Sequence, residues 1–89
     1  MEINLDLLAQ LTDDLTPLPD MALLLDVDEG QLRIALSARN TPAWRVYHRH
    51  KAEAARIVRR RNIELAAAGS PTAAEAVNDY LTTMSLEES

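Results

Sequence analysis

The sequence predicts an all-α protein, and three features of it carry the prediction. Its apolar residues are mostly Leu and Ala, both good helix formers, while Val/Ile runs of strand type are missing. Only two glycines interrupt the chain. Pro17, Pro19, Pro42 and Pro71 stand where periodic apolar segments stop or start, as punctuation between helices.

The first helix is expected from Leu5 to Asp14, with Asn4 as N-cap and Leu8, Leu11 and Leu15 at helical spacing. "TPLP" ends it, because proline lacks a donor and restricts the residue before it. Pro19 suits the first turn of a second helix, about 19–25, with Met21, Ala22 and Leu25 inward.

In "DVDEGQL" (26–32), Asp28 and Gln31 have the spacing of a capping box, and Val27 and Leu32 that of a hydrophobic staple. A third helix therefore starts just after Asp28 and turns Leu32, Ala35 and Leu36 inward. "SARNTP" ends it. Thr41 caps and Pro42 opens a fourth helix reaching Ala68, about 40 Å long at 1.5 Å per residue. Gly69 is its stop signal. Ser70 and Pro71 begin a fifth helix through about Met84, with Ala73, Ala76, Val77, Tyr80 and Leu81 inward. The closing "SLEES" reads as a frayed end. The predicted architecture is a helix-turn-helix bundle over 1–41, then a helical hairpin over 42–89 in which the long helix meets a shorter antiparallel one.

The absence of cysteine excludes disulfides, thiolate zinc sites and thiol nucleophiles. The N-terminus is acidic, unlike a signal peptide, and "MALLL" falls far short of the roughly 18 apolar residues of a membrane span. A soluble protein of a reducing compartment is expected, without cofactor or membrane contact.

Charge is sharply segregated. All nine Lys and Arg lie between Arg33 and Arg61, where Glu53 is the single acid, a local net of +8. Residues 1–32 hold eight acids and no base, and residues 62–89 five acids and no base. The formal total of −5 therefore hides opposed local fields, and those decide what binds.

Residues 19–36 have helix-turn-helix spacing. Ala22 is the small residue at the crossing, Met21 and Leu25 pack around it, Val27 fills the turn, and Asp26 tolerates a left-handed backbone. The same spacing fits an αα-corner with no DNA role. Asp28 and Glu29 stand where a groove-reading helix meets base edges and phosphates, so readout by this helix is expected to be poor. Arg33, Ser37 and Arg39 are its DNA-facing candidates.

On the fourth helix, Arg45, Arg49, Arg56, Arg59 and Arg60 fall with His48 inside an arc of about 120°. Tyr47, Ala54, Ile57, Val58 and Leu65 take the opposite side, with Trp44 at its border. Glu53 is in reach of Arg49 and Arg56, and Glu64 of Arg60 and Arg61, which leaves a cationic surplus. That surplus has three outlets: phosphates of duplex DNA, acidic helices of the same chain or a neighbouring copy, and an acidic protein partner. His48 and His50 project about 200° apart and cannot share a metal ion on one helix. No phosphate loop or nucleophile motif occurs, and no enzymatic activity is expected.

Three stretches together resemble the N-terminal part of a phage or prophage terminase small subunit. They are "MALLLDVDEGQLRIAL", then Tyr47, Lys51, Ala52 and Glu53 as Y-x-x-x-K-A-E, then "IELAAAGSPTAAEAVNDYL". The resemblance spans about 19–81. It implies a non-enzymatic, homo-oligomeric DNA-binding subunit that recognises viral DNA for packaging and regulates a large terminase subunit. By position it implies Arg33, Ser37 and Arg39 at the DNA-facing helix. It places Tyr47, Ala54, Val58, Leu65 and Tyr80, with Trp44 beside them, in the hairpin core or subunit contact. A helix-turn-helix transcriptional regulator and an assembly module without DNA binding are the alternatives.

Overall fold

The computed structural model describes residues 2–88. It is all-helical: α1 (Leu5–Asp13), α2 (Leu18–Leu25), α3 (Glu29–Ser37), α4 (Pro42–Ala67) and α5 (Pro71–Glu87), with no strand among the described residues.

Helix starts follow local side-chain chemistry. The Asn4 side chain accepts from the Leu7 amide at 3.1 Å, Asp28 from Gln31 at 2.9 Å, Thr41 from Trp44 at 3.2 Å and Ser70 from Ala73 at 3.3 Å. Each bond satisfies one of the amides that a helix N-terminus leaves without a partner.

Helix ends share one device. After α1, α2 and α4 a left-handed residue reverses the chain: Leu15 at φ 60°, Asp26 at φ 57° and Gly69 at φ 101°. In each case the following amide reaches back five residues, Thr16 to Leu11, Val27 to Ala22 and Ser70 to Leu65, all at 3.0 Å. This is the Schellman closure, which satisfies carbonyls the helix itself cannot. It also corrects one expectation. Leu15 lies beyond α1, so helical periodicity no longer governs it, and it is 62% exposed.

The chain forms two compact units, one ending at Ala54 and the other beginning at Ala55. In the first, Leu8, Leu11, Met21, Ala22, Leu32 and Leu36 form the core. Leu18, Leu25, Val27, Ala43, Val46 and Tyr47 pack against it, so the start of α4 closes a helix-turn-helix-shaped bundle. Fully burying Leu8, Met21 and Leu32 contributes about 1.5–3 kcal/mol each. Thr12, buried among them, donates its hydroxyl to the Leu8 carbonyl at 2.7 Å, so no polar group is stranded there. Two imidazoles tie α4 down: His48 Nε2 lies 3.0 Å from the Leu36 carbonyl oxygen, and His50 Nδ1 lies 2.8 Å from Asp13 Oδ1.

In the second unit, α5 runs back along the end of α4. The Asn62 amide donates to the Tyr80 hydroxyl at 2.7 Å, and Ala73 is buried at the start of α5. Two expectations are corrected here. The fifth helix continues to Glu87 rather than stopping near Met84, so of "SLEES" Ser85, Leu86 and Glu87 are helical and Ser89 lies outside the described residues. Leu81, expected inward, is exposed, because two helices bury only a narrow stripe of each other. No helix among the described residues is long and apolar enough to cross a membrane.

Candidate nucleic-acid interface

The three residues proposed on the DNA-facing helix do not present an unencumbered reading surface. Arg33 Nε lies 3.6 Å from Glu29, one turn back on α3. The Ser37 hydroxyl donates to the Arg33 carbonyl at 2.8 Å. The Arg39 guanidinium sits over the Trp44 indole, 5.9 Å from its centroid. The Arg33–Glu29 pair is exposed and worth only about 0.3–0.5 kcal/mol, so a phosphate could displace it. At the N-terminus of α3, Asp28 is committed to its cap and Glu29 adds a second carboxylate.

The same three residues do come together elsewhere. Arg33, Ser37 and Arg39 form one side of an open cleft of about 720 Å³ in the first unit, and Trp44, Tyr47 and His48 form the other. Leu18 and Leu36 complete its apolar lining. The aromatic wall is continuous: Trp44 and His48 are 4.9 Å apart between centroids, Tyr47 and His48 5.0 Å apart edge to face. Lys51 stands 5.6 Å from the Tyr47 ring centre.

Along α4 the arginines divide between the units. Arg45 and Arg49, one turn apart, are exposed in the first, and Arg56, Arg59 and Arg60 are exposed in the second. Among the described residues, Arg45, Arg49, Arg59 and Arg60 have no carboxylate within 4.0 Å. Arg61 reaches Glu64 at 3.9 Å, and Glu53 and Arg56 are both engaged.

The residues assigned to core or subunit contact separate in the same way. Tyr47 covers the first core, Trp44 is half-buried in the cleft wall, and Ala54 is buried. Tyr80 is half-buried against Asn62, while Val58 and Leu65 are exposed. With Ile57, Ile63, Leu81 and Met84 they leave the second unit with a large exposed apolar surface. The signals that sequence reading missed are contacts between elements: Arg39 over Trp44, and His48 on the end of α3. Periodicity along a single helix carries no trace of either.

Comparison with protein families, with curated protein sequences and with solved structures returns no match. The functional reading therefore rests on the arrangement of these side chains.

Proposed function

We propose that this chain is a non-enzymatic DNA-binding protein that holds duplex phosphates through the arginines of α4. It works as a homo-oligomer of the phage terminase small-subunit kind, in the cytoplasm of a bacterial host and beside a large terminase subunit. The observation that carries the reading is the set of exposed guanidiniums at Arg45, Arg49, Arg59 and Arg60, which lack a carboxylate partner among the described residues. Backbone contacts of this sort bind without regard to base sequence and lose affinity steeply with salt. The carboxylates at the start of α3 fit the same picture, since they disfavour base readout there.

A second reading, self-assembly without DNA, draws on the exposed apolar surface of the second unit. A salt titration of binding to a non-specific duplex separates them. Phosphate binding gives a steep decline in affinity, whereas an assembly module gives no DNA affinity and a salt-sensitive mass in solution. Among oligomers, a dimer on a palindromic site points to a transcriptional regulator and a larger closed ring to packaging.

A further inference from the structure

The cleft between α3 and the start of α4 has a chemistry that duplex phosphates alone would not use. One wall is aromatic, and the half-buried Trp44 indole is part of it. The other carries two guanidiniums, Arg33 and Arg39, and the Ser37 hydroxyl. Among the described residues no carboxylate lines it, and Glu29 reaches Arg33 from outside the lining at 3.6 Å. Its volume, about 720 Å³, is within the range of small-molecule sites. A flat π-surface beside paired cations suits a ligand that is itself flat, aromatic and anionic. Within a duplex the base faces are covered by their neighbours, so away from its ends such a face next to a phosphate is offered by an unpaired nucleotide.

We infer that this cleft binds one unpaired nucleotide, its base stacked on Trp44 and its phosphate held by Arg33 and Arg39. Arg39 occupies the position over the indole, at 5.9 Å, and swings off it to meet the phosphate as the base takes its place. It lies on the exposed α3–α4 connection, next to Asn40 at φ 68°, so its displacement disturbs no core residue. His48 holds the other side fixed: it packs on both Trp44 and Tyr47 while its Nε2 is tied to the Leu36 carbonyl. The inference rests on the proposed function only in taking nucleic acid as the ligand. It adds a preference for single-stranded ends or gaps over continuous duplex.

The chain has one tryptophan, so its fluorescence reports this cleft directly. The full protein is titrated with a short oligothymidylate, with an abasic deoxyribose-phosphate strand of equal length, and with a blunt duplex. Quenching by the oligothymidylate and none by the abasic strand is expected. Arg39→Gln should weaken the quenching titration about tenfold, the scale of one lost base–aromatic or charged contact. A labelled oligothymidylate followed by anisotropy extends the test to Trp44→Phe, which should retain binding, and Trp44→Ala, which should lose it with helical content intact. Equal binding of the base-bearing and abasic strands without quenching would overturn the cleft assignment and leave phosphate binding standing. Quenching by the oligothymidylate with no duplex binding would do the reverse.

Discussion

His48 Nε2 lies 3.0 Å from the carbonyl oxygen of Leu36, joining the first half of α4 to the last turn of α3. That carbonyl belongs to the group that a helix C-terminus leaves unsatisfied, so the imidazole caps α3 from a different element. His48→Ala should destabilise the protein by about 0.5–1.5 kcal/mol, the net worth of one hydrogen bond, read as a lower urea midpoint. Gln, whose amide nitrogen extends to about the same reach, should recover part of the loss.

Leu15 occupies a left-handed backbone position that costs a leucine roughly 1–2 kcal/mol, and its side chain is largely in solvent. Leu15→Gly should therefore stabilise the fold by about 1 kcal/mol in chemical denaturation. Asp26→Gly, at the equivalent position after α2, should gain less, because a short polar side chain accepts that backbone more readily. A destabilised Leu15→Gly would show that the exposed leucine makes a contact outweighing its backbone.

Leucines of this small bundle differ widely in what they hold. Leu32 is fully buried in the first core, whereas Leu23 on α2 is 80% exposed. Leu32→Ala should cost about 2–5 kcal/mol, a large share of the 5–15 kcal/mol typical of a domain. Leu23→Gln should shift stability by no more than about 0.5 kcal/mol. Thermal unfolding of the pair followed by circular dichroism makes the comparison.

Tyr80→Phe removes the hydroxyl that accepts from Asn62 at 2.7 Å and leaves that amide without its partner. A loss of about 1 kcal/mol is expected. It should speed hydrogen exchange in α5 and leave α1 to α3 unaffected, because both residues lie in the second unit.

For DNA, the number of phosphate contacts is read from the slope of log affinity against log salt, about 0.9 for each. Arg45→Gln with Arg49→Gln, and separately Arg59→Gln with Arg60→Gln, should each flatten that slope by about two if every guanidinium meets one phosphate. An unchanged slope in both double variants would remove α4 from the interface.

Much of the fold was legible in the residues because helix starts are set locally. Asn4, Asp28, Thr41 and Ser70 each bond an amide three residues ahead, a distance that sequence spacing captures. The cationic face of α4 was legible for a similar reason, since a rotation of about 100° per residue fixes it. The left-handed turn at Leu15 was not, because leucine does not advertise that backbone as glycine does at Gly69. Nor was the cleft, whose walls are separate helices joined by His48 and Leu36, twelve residues apart. Exposure of Ile57, Val58 and Leu65 was equally hidden: a pattern marks a face as apolar without saying whether anything covers it.

The hinge of the second unit at Gly69 is short, with Ala68, Gly69 and Ser70 its only non-helical residues between α4 and α5. A connection so brief acts as an indexing peg. Inserting one residue into it would change where α5 starts against the end of α4 and carry the Tyr80 phenol out of line with Asn62. Variants that change the length of this joint should therefore re-pair the two rods, while changes of side chain that keep its length should not.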